Sequence, residues 1–279
     1  MLSRRDWLLT AGAGVTATLW GARTTGLTIG AMDTVFRMPA NPEAVAMAKK
    51  FGLAGVQVTI PKSLDGKTLP LEDTALQHAW NEASKQYSIP LNATCLEMLH
   101  QDCLKDNAHA PEWVHKGIAI TKNLNAGILM LVFFNACQVL KRPELDYVID
   151  QVKELLPEAQ RAGIILGFEN TISGEENRYA VDKVNSQWFK VWYDVGNSVA
   201  NGFDAPKEIR ALGRDRICAF HFKDKKGYLG EGEVNMPEVL RAIRDIRFEG
   251  VANLETKVPT GVEADLKHNL DNLRKLMED

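Results

Sequence analysis

The chain has 279 residues, of which 45% are hydrophobic and 25% charged, with a formal net charge of -3 and a pI near 6.1. Such a chain buries a large core and is not disordered. Its balance of charge gives no global electrostatic basis for binding nucleic acid or an anionic membrane surface, so small molecules or proteins are the expected partners.

The N-terminus, MLSRRDWLLTAGAGVTATLWGA, does not read as the start of a fold. Arg4 and Arg5 form a positive region, a weakly apolar run extends from Trp7 to Trp20, and small residues follow at Gly21 and Ala22. Ser3, Arg4, Arg5, Asp6, Trp7 and Leu8 resemble the motif of a twin-arginine export signal. This divides the chain into a signal over residues 1–25 and a domain over residues 26–279, exported from a bacterium to the periplasm or beyond. The alternatives are an unprocessed membrane anchor, for which the run is short of the roughly 20 apolar residues that a span needs, or an ordinary first helix; no second candidate span follows, so no stable membrane insertion is expected after cleavage. The cysteines, at 95, 103, 137 and 218, form no CxxC pair. That excludes the usual Cys-based zinc motifs and gives little support to a disulfide framework, so free thiols are expected.

Past the signal, apolar strand-like runs alternate with helical ones. Strands are expected at LTIGAM from Leu27, GVQVTI from Gly55, PLNATCLEM from Pro90 and GILMLVFF from Gly127. Four more follow at GIILGFEN from Gly163, KVWYDV from Lys190, ICAFHF from Ile217 and VANLET from Val251. Between them, segments such as NPEAVAMAKKFG, LEDTALQHAWNEASKQY, PELDYVIDQVKELLPEAQRAG, APKEIRALG, NMPEVLRAIRDI and ADLKHNLDNLRKLME carry apolar residues at helical spacing, several with Pro near the start. Strand and helix in alternation, eight times over, is the rhythm of a single α/β domain, a (β/α)8 TIM barrel. An open doubly wound sheet is the alternative, but no GxGxxG follows the first strand.

In a barrel of this kind, active sites are built where strands end. The late strands each end in a residue able to ligate a metal: Glu169 in GFEN, Asp194 in YDVGN, His221 in FHFKD and Glu255 in NLET. Strand side chains alternate between faces, so Glu169 shares a face with Gly167, His221 with Ala219 and Lys223, and Glu255 with Asn253. Asp194 fits less well, because it shares its face with the bulky Trp192. Carboxylates with one imidazole suit Mn²⁺, Mg²⁺ or Co²⁺, and Zn²⁺ also binds such a set. Three acids close together need a cation to offset their repulsion. Lys223 reads either as a donor to a sugar oxygen or as a rim salt bridge, Glu97 and His100 either as lining of the mouth or as a surface loop, and Cys218 as packing on the greasy face of its strand.

Taken in order, GFEN, YDVGNS, HFKD, LGEGEVN and NLET resemble the xylose isomerase-like barrel family of sugar isomerases and epimerases, which includes AP endonuclease relatives. The likeness runs from about Leu27 to the end. It implies one divalent ion, Mn²⁺ first among the candidates, held by Glu169, Asp194, His221 and Glu255, with the two glutamates acting as acid and base. A substrate-binding His is frequent in the family three residues after the metal-binding Asp; this chain has Asn197 there, which the resemblance places, with Lys223, at the substrate. The DNA-repair branch builds a multi-metal cluster from many histidines. Here the six are 78, 100, 109, 115, 221 and 268, and only His221 stands clearly at a strand end, so a nuclease is not expected.

The expected chemistry is metal-assisted proton transfer next to a carbonyl of a small carbohydrate. Isomerisation, epimerisation and β-elimination from a keto-glycoside share that first step, so a lyase or dehydratase is the alternative enzyme. A sugar-binding barrel without catalysis is the non-enzymatic alternative. Export favours a free sugar or keto-sugar over a phosphorylated one, and a homo-oligomer is compatible with the sequence.

Overall fold

The computed structural model describes residues 26–278, so the twin-arginine-like segment lies outside the described residues. Eight parallel strands close into one barrel in sequence order. They are β1 (Leu27–Met32), β2 (Val56–Ile60), β3 (Leu91–Leu96), β4 (Ile128–Val132), β5 (Ile165–Glu169), β6 (Phe189–Asp194), β7 (Ile217–Phe222) and β8 (Gly250–Leu254). Pairing of β1 with β8 through Leu27↔Gly250 to Ala31↔Leu254 completes the closure.

The outer layer consists of α1 (Ala44–Lys50), α2 (Thr74–Tyr87), α3 (Ala110–Asn123), α4 (Arg142–Ala162), α5 (Gly174–Val184), α6 (Val195–Ala200), α7 (Ala205–Leu212), α8 (Met236–Asp245) and α9 (Val262–Glu278). Local chemistry sets the boundaries. Asp73, Ser173, Asp204 and Asn235 each accept a backbone N–H of the first turn that follows, in α2, α5, α7 and α8. Pro206 and Pro237 stand in the first turns of α7 and α8, where their missing N–H costs nothing. Gly163 ends α4 in the left-handed region, at φ 74°. The helices at Ala110–Asn123 and Gly174–Val184 complete the alternation already expected from the other segments.

Between strands and helices lies the apolar core. Phe133, Phe168 and Phe189 form one run of ring contacts at 4.8 and 5.5 Å, and Phe220 meets Phe248 edge-on at 5.0 Å. The α8 helix turns Met236, Val239, Leu240 and Ile243 onto this layer. Inside the barrel the filling is different. Gly30, Asn92, Gln57 and Asn253 meet there, and a Cβ on Gly30 would come within 2.3 Å of Asn253 Oδ1. Gly30 is therefore the space that admits a polar interior side chain.

Candidate active site

Glu169 is the last residue of β5, Asp194 the last of β6, His221 lies one before the end of β7, and Glu255 follows β8 directly. Backbone bonds continue the ladder at this rim: Phe133 N–H donates to the Glu169 carbonyl at 3.0 Å, and Glu255 N–H to that of Phe222 at 3.1 Å. The four side chains expected as ligands come together, each with a ligand atom within 4.8 Å of the others. His221 Nδ1 lies 2.9 Å from Glu169 Oε1, 3.0 Å from Glu255 Oε2 and 3.8 Å from Asp194 Oδ2. His221, Glu169 and Asp194 are buried, while the Glu255 side chain keeps 32% exposure toward solvent.

The Trp192 difficulty resolves through a glycine. The Trp192 indole packs edge-on against the His221 ring at 4.9 Å, on the same face as Asp194. A Cβ on Gly167 would press on Trp192 Cε3 at 3.3 Å, so the strand beside it yields the room. Cys218 departs from the expected outward face. A register shift between β6 and β7 falls beside it, and its thiol would meet the same Cβ at 3.3 Å.

Lys223 is part of the cluster rather than the rim. Its Nζ lies 2.7 Å from both Asp194 Oδ2 and Glu255 Oε2. Gly196 permits this approach, since a Cβ there would fall 2.6 Å from Lys223 Cγ and 2.7 Å from its carbonyl. Asn197 is buried in the first turn of α6, where its N–H donates to Asp194 Oδ1 at 2.7 Å. The structure thus ties Asn197 to orienting Asp194 through its backbone.

Burial pushes the Glu169 carboxyl up to about 7, with the neighbouring Glu255 and Asp194 adding to the effect against the pull of His221. Burial opposes charge on His221 too, yet Glu169 and Glu255 hold its imidazole well above the ordinary value. For Asp194, burial is outweighed by Lys223 and His221, which keep it below the usual carboxylate range.

This donor set fits a divalent cation. Three carboxylates against one ammonium leave two negative charges when His221 is neutral, which a doubly charged ion balances. Asp194 Oδ2 is buried and accepts no hydrogen bond of good geometry, although Lys223 stands close enough to pair with it. Oxygen donors with a single imidazole are what a hard to borderline ion takes. Glu169, Asp194, His221 and Glu255 are the residues that would hold it.

One feature of the mouth differs from the expectation of free thiols, and a second bears on the loop after β3. Cys103 and Cys137 form a disulfide, 34 residues apart in sequence. It ties the segment after β3 to the one after β4, while Cys95 and Cys218 are free. Close by, the His100 ring lies 5.8 Å from that of Phe134, tilted by 31°, with Nε2 3.7 Å from Glu97 Oε2 and Nδ1 buried without a partner. Burial lowers the affinity of His100 for a proton despite Glu97. A His and an aromatic residue that follow two different strands carry no shared local pattern, so their meeting was not readable from spacing.

A closed eight-stranded parallel barrel, with three carboxylates and one histidine gathered at its late strand ends, places the protein among the TIM barrels. The chain belongs to the xylose isomerase-like TIM barrel family, whose model matches residues 45–276. Over 77 residues it is 35% identical to SgbU of Escherichia coli, whose assignment as an L-ribulose-5-phosphate 3-epimerase is provisional; the match covers 23% of this chain and 27% of that protein. The chain spans less than half the length of the curated relatives it matches. Among solved structures, a D-psicose 3-epimerase determined in the presence of D-fructose superposes with a TM-score of 0.76 at 15% identity, covering 90% of this chain and all of the other. The IolI protein with a bound zinc atom superposes with a TM-score of 0.72 at 16% identity, covering 90% and 98%.

Proposed function

We propose that the protein is a divalent-metal-dependent sugar isomerase or epimerase that moves a proton next to the carbonyl of a free sugar or keto-sugar. The observation that carries this reading is the pair Glu169 and Glu255, which flank His221 Nδ1 at 2.9 and 3.0 Å from the ends of β5 and β8. Epimerase neighbours and the zinc of IolI support it at the level of fold. A divalent ion bound by the four ligands would act as a Lewis acid on neighbouring sugar oxygens.

The chain's own residues do the rest. Glu169, raised to about 7 by burial in the metal-free site, would be held ionised by a bound ion and is then placed to act as a general base. Glu255, partly open to solvent, is placed to take a proton from a sugar entering through the mouth. One removes the proton α to the carbonyl and the other returns it, from the opposite face for epimerisation. Lys223 Nζ donates to the oxygen on which negative charge develops. Asn197 keeps Asp194 in place from behind. Burial of Glu169, Asp194 and His221 keeps bulk water from these groups.

The test is a panel of free ketoses, aldoses and keto-sugars with chelator-treated protein, alone and with Mn²⁺, Co²⁺, Mg²⁺ or Zn²⁺ added. Ion-dependent interconversion of a sugar is the expected result, and turnover equal with and without chelator would refute the metal dependence.

We further propose that the protein works outside the cytoplasm. The Arg4–Arg5 motif and the Cys103–Cys137 bond, which persists in oxidising compartments, support export. No helix among the described residues is long and apolar enough to cross a membrane. Replacing Arg4 and Arg5 by Lys should leave the precursor in the cytoplasm, and normal processing of that variant would refute the twin-arginine route.

A further inference from the structure

We infer that Gln57, on β2 and three strands around the barrel from β7, is a positioning residue that selects the ligand atom of His221; the inference rests on the metal-site reading above. The His221 imidazole has two nitrogens, and in its neutral form one carries a proton while the other offers a lone pair. Nε2 lies 2.7 Å from Gln57 Oε1, and Nδ1 faces the carboxylates. Which nitrogen keeps its proton depends on which end of the Gln57 amide points at the ring.

The interior of the barrel settles that orientation. Gln57 Oε1 also accepts from Asn253 Nδ2 at 3.2 Å, and Gln57 Nε2 donates to Met130 Sδ at 3.3 Å. Asn253 and Asn92 bind each other reciprocally, Asn92 Nδ2 donating to Asn253 Oδ1 at 2.8 Å and Asn253 Nδ2 to Asn92 Oδ1 at 3.1 Å. Turning the Gln57 amide over would set two N–H₂ groups of Gln57 and Asn253 against each other. Turning all three amides together would leave the Gln57 carbonyl oxygen against the Met130 sulfur, which has no proton to give. Gln57 therefore presents an oxygen to His221, and that oxygen can only accept. In the neutral ring, the form that ligates a metal, Nε2 therefore keeps its proton and Nδ1 offers its lone pair on the side of Glu169, Asp194 and Glu255.

Gln57, His221 and Asn253 are all 0% exposed, so water does not substitute for any member of the chain. A fixed donor–acceptor chain behind a ligating imidazole sets its ring angle as well as its tautomer. Gly30 belongs to the same device, since only a residue without a Cβ leaves space for Asn253 Oδ1.

The experiment uses the full chain with histidine labelled with ¹⁵N and Zn²⁺ as the diamagnetic probe. Two-bond ¹⁵N–¹H correlation should show His221 protonated at Nε2 and coordinated at Nδ1. Chelator-competition titration with Zn²⁺ and Mn²⁺ should find Gln57→Met weakened about 10- to 100-fold, the range typical when the partner of a ligating histidine is lost. Gln57→Glu, which keeps an acceptor at the same place, should retain the wild-type tautomer and bind within a few-fold of wild type. A role in packing alone would not move the tautomer, and the wild-type spectrum needs no variant to fold. Coordination through Nε2, or wild-type affinity in Gln57→Met, overturns the inference while leaving the metal site intact. A wild-type protein that takes up neither ion overturns the metal site and this inference together.

Discussion

Replacing Lys223 by Met should tighten metal binding while it slows the reaction, the opposite pairing from loss of a ligand. The Lys223 ammonium sits 2.7 Å from Asp194 Oδ2 and 2.7 Å from Glu255 Oε2, two oxygens that an incoming ion would need. It must swing away before the ion enters. The charge-assisted hydrogen bond to Glu255 Oε2 contributes about 1.5–3 kcal/mol and the ion pair with Asp194 adds to it, part of which returns when the freed ammonium is hydrated. A net cost of about 1–3 kcal/mol remains, or roughly a 10- to 100-fold change in affinity at 1.4 kcal/mol per tenfold. Titration of chelator-treated Lys223→Met with Mn²⁺ at pH 7.5 should therefore give a Kd about 10- to 100-fold below wild type, with lower kcat because the donor to the sugar oxygen is gone. Asp194→Ala in the same assay should lose affinity. A Lys223→Met protein that binds the ion no better than wild type would show that the ammonium does not compete for those oxygens.

Glu169→Gln and Glu255→Gln should each reduce turnover by about 10²- to 10⁴-fold while retaining part of the metal affinity, with loss of solvent deuterium incorporation next to the carbonyl in at least one of them; near-normal turnover in both would sink the two-glutamate mechanism. Gly30→Ala puts a methyl group 2.3 Å from Asn253 Oδ1 and should cost about 1–3 kcal/mol, a fall in Tm of roughly 2–12 °C by calorimetry. Removing the Cys103–Cys137 bond by paired Ser substitutions should cost about 3–4 kcal/mol for a 34-residue separation, and a Tm unchanged from wild type would contradict that. In metal-free protein, the Glu169 carboxyl at about 7 and the Asp33 carboxyl, pushed up to about 6 chiefly by burial, both lie above their ordinary values. The stability they contribute is complete below the usual carboxylate range and is lost as pH rises through about 6 and 7, so Tm in chelator should fall between pH 5 and pH 8. A bound divalent ion should reverse much of that fall at pH 8, because it binds the ionised site.

The strands were legible because their apolar runs are short, bounded and separated by amphipathic segments. Glu169, His221 and Glu255 were legible because each alternates with small or polar residues on one face of such a run. Asp194 was obscured by Trp192, and the glycine that makes room for that indole, Gly167, stands on a different strand. Spacing along one strand carries no information about the next. The same limit hid the Cys103–Cys137 pair, which joins two loops with no local pattern between them. Gln57, Asn92 and Asn253 were the least legible. Each is a single polar residue in an otherwise ordinary strand, and their meaning appears only when closure of the barrel brings β2, β3 and β8 onto one axis.

In this barrel the division between the rim that carries the proposed active site and a merely stabilising base is not clean. Asn92, the second residue of β3, is partly exposed near the start of its strand, yet hydrogen bonds connect it through Asn253 and Gln57 to His221. The column works as a tie-rod between the two ends. Random mutagenesis for activity should then return hits at Asn92 that never touch substrate, and an engineer altering sugar preference would do well to vary the loops after β2, β3 and β4 while leaving the tie-rod intact.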